Sequence, residues 1–367
     1  MRNPLVLTIA VLGLALASVQ PSRAIPAFAR QYHISCATCH VAPPKLNAFG
    51  QQFTDKGYLF EGLQQRAYIP DTVTGDEALN LFDRVPLGFR FQQWAELRVQ
   101  NRQWRQDFKA PWAAKFLTGG ALGSIANFYA YVIFEKGEPP FFEDAWVHLH
   151  PWENFGLQLG QFQISDLMFP RELRLTRADY SIYKIGRFPL TYQRGAIISA
   201  FDVSLGVVNG NGIGEYIAGD ADADNRKVFF GHIALPLDLG LFALYGEVPD
   251  TAGALIRGYR VGVDWQTWLN EQLQLFTQFL YGYDQRRSEW LAGGFLGLDY
   301  VDFPHVVAVL LSSVEAPRDT YYRQFRTHSV ALQYSYYPYR NLRLLVELER
   351  EFVTPILRLT IGADFAY

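Results

Sequence analysis

From Pro86 to the C-terminus, apolar and polar residues alternate with a period of two. That is the period of β-strands, whose successive side chains point to opposite faces. Leu357, Leu359, Ile361, Ala363, Phe365 and Tyr367 make an apolar face, and Arg358, Thr360, Gly362, Asp364 and Ala366 make a polar or small one. The same alternation places Leu342, Leu344, Val346 and Leu348 opposite Arg343, Leu345, Glu347 and Glu349. It also places Tyr259, Val261, Val263 and Trp265 opposite Arg260, Gly262 and Asp264, and Phe89, Phe91, Ala95 and Leu97 opposite Arg90, Gln92, Trp94 and Glu96. A soluble sheet would bury the apolar face, whereas a membrane barrel turns it to lipid and keeps the polar face for a wet lumen. Three features favour the barrel. Several runs reach the roughly 9–11 residues that span a bilayer when tilted. The polar faces carry full charges, and aromatic residues gather at run ends, as in Tyr334–Tyr339 and Tyr281–Tyr283.

The expectation is therefore an all-β, antiparallel transmembrane barrel occupying residues 80–367. Strands are expected near 86–99, 113–119, 122–135, 142–150, 155–163, 190–202, 203–209, 227–235, 239–247, 255–266, 272–284, 289–300, 305–314, 328–337, 341–350 and 356–367, which makes 16. The count falls to 14 if the weak runs 113–119 and 203–209 are not strands. Two long stretches lack the alternation. Ile164–Pro189 carries Arg171, Arg174, Arg177 and Arg187 and is either a constriction folded into the lumen or an external loop. Gly219–Lys227 holds Asp220, Asp222 and Asp224. It departs from a calcium loop at its sixth position, Asn225, and its twelfth, Gly231, which leaves at most a surface cation site.

The first 24 residues read as a secretory signal, with Arg2, an apolar run from Leu5 to Ala17, and Ser22-Arg23-Ala24 before the cut. No segment after it is apolar for 18 residues, so membrane-spanning helices are not expected. Hydrophobic residues make up 49% of the 367, which argues against disorder. Lys+Arg is 33 against Asp+Glu 36, a balance that gives no electrostatic reason for a nucleic-acid partner.

Chemistry is concentrated in residues 25–75, expected as a short helical segment ahead of the barrel. Both cysteines of the chain lie in Cys36-Ala37-Thr38-Cys39-His40. Two thiols at this spacing add across the two vinyl groups of a heme, and the following histidine gives its imidazole to the iron. One covalent heme c is thus expected on Cys36 and Cys39, with His40 as proximal ligand. A redox dithiol would sit in a βαβ unit, and structural zinc would need further ligands; neither context is visible. Pro44, Leu46, Phe49 and Phe53 have near-helical spacing that ends at Lys56-Gly57, giving an apolar stripe to cover the heme or pack on the barrel rim. For the sixth iron ligand the candidates are Met168, with His33, His148 and His150 as alternatives; His148 and His150 share a strand face with Trp146.

The run "AIPAFARQYHISCATCHVAPPKLNAFGQQFTDKGY" resembles the N-terminus of the fused monoheme cytochrome c–porin family of the bacterial outer membrane. The matching positions are Ile25 to Arg30, Cys36, Cys39, His40, Leu46-Asn47, Phe49-Gly50 and Gly57-Tyr58. The resemblance implies an outer-membrane electron-transfer protein rather than a metabolic enzyme. One heme would pass single electrons between an extracellular donor or acceptor, which in some members is iron(II), and a periplasmic carrier such as a soluble cytochrome. The iron-oxidising members have an aromatic, histidine-containing stretch after the heme histidine, where this chain has Val41-Ala42-Pro43-Pro44. The alternative is a diffusion porin whose heme-bearing segment acts as a plug or sensor.

Overall fold

A computed structural model describes residues 27–32, 34–56, 58, 87–122, 125–185, 188–210, 212, 226–249, 255–285, 289–317 and 321–367. The signal, His33, Arg187 and the acidic run 219–225 lie outside the described residues.

The described residues begin with helix α1 (Ala27–Tyr32), a single 3₁₀ turn at Cys36–Thr38, a small hairpin of β1 (His40–Ala42) and β2 (Lys45–Leu46), and helix α2 (Ala48–Asp55). The sequence predicts a helix beginning before this point, but Pro43 and Pro44 cannot donate the backbone hydrogen bonds of a helix interior. They form the hairpin turn instead, and α2 starts only after Asn47.

Sixteen strands follow. They are β3 (Leu87–Gln100), β4 (Gln103–Ala121), β5 (Ala126–Glu135), β6 (Phe141–Leu149), β7 (Phe155–Gln163), β8 (Tyr192–Ala200), β9 (Val203–Val208) and β10 (Val228–Leu235). The second half comprises β11 (Leu239–Pro249), β12 (Leu255–Trp268), β13 (Leu273–Asp284), β14 (Glu289–Asp302), β15 (His305–Glu315), β16 (Thr327–Tyr339), β17 (Leu342–Glu351) and β18 (Ile356–Ala366). Each pairs antiparallel with its neighbour, and β18 closes on β3, so the sheet has no free edge. The expected count of 16 holds. The weak run at 113–119 is the inner part of a 19-residue strand whose other part, from Gln103, stands exposed above the wall and so shows no alternation.

The barrel is inside out relative to a soluble sheet. Leu205, on β9, is 61% exposed, while Arg260 on β12 is 2% exposed. Leu296, Leu311, Leu332, Val346 and Ile361 also face outward, and Asp264, Gln278, Asp299, Gln333, Glu347 and Asp364 are buried inside. Exposed aromatics sit at both ends of this apolar band: Trp268, Tyr300, Tyr336, Tyr339 and Tyr367 at one, Tyr245, Tyr259 and Trp290 at the other. This is a lipid-facing surface with aromatic girdles. One end carries short turns, such as 201–202, 303–304 and 340–341, and the other carries the long connections. Short turns mark the periplasmic end of such barrels.

Residues 164–185 and 188–191 fold into the lumen. Phe169, Tyr180, Ile182, Tyr183 and Phe188 from this loop pack on Phe230, Phe276, Leu280, Phe295 and Leu310 from the barrel's inner face. That dry contact explains why β10–β15 carry inward apolar residues where a wet wall would be polar.

Candidate functional site

The Cys36–His40 turn is held largely by one residue. The Asn47 backbone N–H donates to the Cys39 carbonyl at 2.9 Å, and its side-chain amide donates to Thr38 O at 3.0 Å and Ala37 O at 3.3 Å. Its Oδ1 accepts the Gly50 N–H at 2.8 Å, capping α2. The helix start and the cysteine turn are therefore one unit. Gly50 has a packing role here, since a Cβ would stand 2.1 Å from the Cys39 carbonyl oxygen. Ser35 completes the turn by accepting the Ala37 N–H at 3.2 Å.

Cys36 and Cys39 are free thiols, each partly accessible, and burial raises both above the ordinary thiol range. His40 Nδ1 lies 3.1 Å from the Pro44 carbonyl oxygen. Burial lowers the pKa of this imidazole, a shift that backbone hydrogen bonding opposes only in part. A neutral ring on a carbonyl must carry its proton on Nδ1, so Nε2 presents a lone pair. Metal-ligating histidines have this arrangement, with one nitrogen on the metal and the other donating to a backbone carbonyl. The donor set fits a heme c: two free thiols at the required spacing and an imidazole of fixed tautomer beside them.

The segment spans the short-turn mouth of the barrel. On one wall Val41 and Ala42 pack with Val301, Val306, Ala308 and Tyr337, and Tyr337 Oη donates to the Pro43 carbonyl at 2.6 Å. Lys45 Nζ forms an ion pair with Asp299, buried on β14, and lies 4.8 Å from the Phe276 ring centre. On the other wall Phe28 stacks on Tyr58 at 4.8 Å, and Tyr58 stacks on Trp146 of β6 at 5.8 Å. In the circular strand order β6 stands seven places from β15, nearly half-way round.

The lumen loop meets this plug from the other side. Leu175 packs in the same apolar group as Ala42, and its carbonyl accepts from Arg343 and Gln333. The next residues reach across to β17, where Glu347 accepts the backbone N–H groups of Arg177 (2.5 Å) and Ala178 (2.9 Å). Arg171, Arg174 and Lys184 surround Asp179, and Glu172 pairs with Lys115 and Arg90. Arg177 lies over Trp94 at 4.3 Å. Beside the loop remains an open cavity of about 420 Å³ whose charged lining includes Glu96, Arg177, Asp179, Glu347 and Arg358.

Of the distal-ligand candidates, Met168 sits in the lumen loop, with its sulfur 2.6 Å from Gln278 Nε2. His148 points inward from β6 and stacks near His150, on the wall across from the hairpin that follows His40. His33 lies outside the described residues. The cysteine motif was visible in sequence, whereas the clamp by Asn47 and the Lys45–Asp299 pair were not. The only local signal for the first is an Asn three residues before a Gly at a helix start.

No family model and no curated protein sequence matches the chain. Solved structures do. The anion-selective porin from Comamonas acidovorans is 10% identical with a TM-score of 0.57, over 77% of this chain and 99% of that one. Pseudomonas putida OprB gives 11% and 0.57 over 77% and 93%, and the outer membrane channel DcaP of Acinetobacter baumannii gives 11% and 0.54 over 77% and 96%. The protein has the fold of an outer-membrane porin, a closed 16-strand antiparallel barrel.

Proposed function

We propose that this protein is an outer-membrane barrel carrying one heme c at its periplasmic mouth, and that it passes single electrons between an extracellular donor or acceptor and a periplasmic carrier. The observation that carries this is His40: its tautomer is set by the Pro44 carbonyl, beside two free thiols, in a segment seated across the mouth. Heme c, when bound, supplies one-electron chemistry whose potential follows axial ligation and burial. The chain's own residues do the positioning. Cys36 and Cys39 anchor, His40 ligates, and Asn47 fixes the turn. Lys45, Tyr337 and the Tyr58–Trp146 stack hold the segment against opposite walls. The barrel keeps lipid away from it. Iron(II), a one-electron donor, is the leading extracellular substrate by family resemblance.

A second reading, a diffusion porin with a heme-bearing plug or sensor, draws on the solved structures. Two of the three similar ones are described as a channel or a porin, and this likeness supports transport more directly than electron transfer. A pyridine hemochrome spectrum of the purified protein, followed by addition of ferrous iron or a mediator, separates the readings. A c-type spectrum with a reducible heme is expected. A large steady planar-bilayer current unchanged by Cys36→Ala and Cys39→Ala would favour the porin.

A further inference from the structure

The wall beneath Tyr58 and Trp146 holds a polar niche around His148 and His150, which enter the heme reading only as alternatives to Met168 for the iron. His148 on β6 and His150, just past its end, stand on alternate residues, so they share a face. Their rings are 5.9 Å apart between centres and inclined by 26°. Asn127 on β5 is the register partner of His148. Asn127 is fully buried and His148 is 9% exposed. Neither Asn127 Oδ1, Asn127 Nδ2 nor His148 Nδ1 has a hydrogen-bond partner among the described residues. Leaving a buried polar group unsatisfied is unfavourable, and here both members of one cross-strand pair are unsatisfied. The niche is also built for the ring: a Cβ at Gly156 would stand 2.4 Å from His148 Nε2.

We infer that this niche binds a divalent first-row transition-metal ion of the imidazole-preferring kind, Ni(II), Cu(II) or Zn(II). His148 Nδ1, the His150 imidazole and Asn127 Oδ1 are the protein ligands, and water completes the shell. Imidazole suits these ions, whereas Ca²⁺ and Mg²⁺ call for oxygen ligands. Asn127 Nδ2 is placed to donate to a metal-bound water. Two imidazoles and one amide make a weaker site than a four-ligand structural one. The described residues contain no group of three or more His, Cys, Asp or Glu able to hold a metal, so no stronger competitor is present there. The inference does not depend on heme.

The test uses the full-length protein in detergent, stripped with chelator, any cysteine not bonded to heme alkylated. Zn²⁺ binding is followed by calorimetry, and Cu²⁺ binding by quenching of tryptophan fluorescence, with Trp146 lying 6.5 Å from His148 between ring centres. One equivalent should bind. His148→Ala should weaken it at least tenfold, and Trp146→Phe should remove most of the quenching while sparing the Zn²⁺ titration. Asn127→Asp should tighten binding, a gain that a merely structural amide would not produce. Heat-modifiable gel mobility checks that each variant is folded. Absence of stoichiometric binding in the folded wild type would overturn the inference. So would Zn²⁺ uptake that disappears on alkylation, or a His148→Ala variant that shifts the heme spectrum but leaves metal binding intact.

Discussion

Lys45→Met tests how the N-terminal segment is held. Asp299 is buried on the inner face of β14, and Lys45 is the cation paired with it. Methionine keeps the length and the apolar contact with Phe276 but removes the charge. A carboxylate left uncompensated in such a place costs roughly 3–5 kcal/mol. At about 1.4 kcal/mol per tenfold, the seated-to-unseated ratio should fall by two to three and a half orders of magnitude. Asp299→Asn added to Lys45→Met removes the stranded charge and should recover most of that loss, because the amide still finds polar neighbours in the lumen. Cleavage of a transiently opened segment tracks its equilibrium population when reclosing is fast. Chymotrypsin, which targets Phe49, Phe53 and Tyr58, therefore reads the effect, added from the periplasmic side of reconstituted vesicles. The single variant should be cut within this segment at least a hundredfold faster than wild type, and the double variant much more slowly than the single. If the single variant is cut within threefold of wild type, or the double is no slower than the single, the ion pair does not hold the plug.

Other substitutions probe separate layers of the structure. Gly50→Ala drives a methyl into the Cys39 carbonyl and should lower the covalent heme content, measured by hemochrome absorbance per protein. His40→Ala should leave two thioethers but change the spin state seen in the visible spectrum. Glu347→Leu removes the acceptor for two loop amides. At roughly 1.5–3 kcal/mol for each bond to a charged group, the loop should detach from β17, seen as raised and noisier conductance. Leu205→Arg puts a charge on the lipid face and should cost about 2–4 kcal/mol if it lies near the midplane, read as a lower midpoint in urea unfolding from vesicles.

The barrel was legible because lipid and lumen impose opposite demands on alternate residues, and the apolar face of β18 at Ile361 and Phe365 answers them without help from distant contacts. The alternation failed where a strand leaves both environments, as from Gln103 to Phe108, which stands exposed beyond the wall. It was also disturbed at Phe276, Leu280 and Phe295, whose inward apolar side chains fit only once the lumen loop is known to press on them. The cysteine motif was legible because thiol spacing is a local property. The seat of that motif was not. Lys45 and Asp299 are 254 residues apart, and Pro43 and Tyr337 are 294 apart, so no local pattern links them.

Those long-range contacts bear on the choice between electrons and solutes. The lumen is crossed twice, by the N-terminal segment at the mouth and by the loop above it; Ala42 and Leu175 share one apolar group, and Lys45 and Phe169 both lie against Phe276. Moving either crossing aside means breaking a buried ion pair at one and two amide–carboxylate bonds at the other, which leaves a solute only the open space beside the loop. An electron needs neither to move; it needs a rigid holder and short gaps, and the same contacts that obstruct diffusion supply the rigidity. Ala42 and Leu175 thus decide between the readings: Leu175→Ala would open a cavity costing roughly 2–5 kcal/mol at the point where plug and loop meet. In a diffusion porin this loosening raises solute flux with no spectral consequence. In an electron conduit it disturbs the turn two residues after His40, so the heme's midpoint potential and line width should move even while conductance stays low.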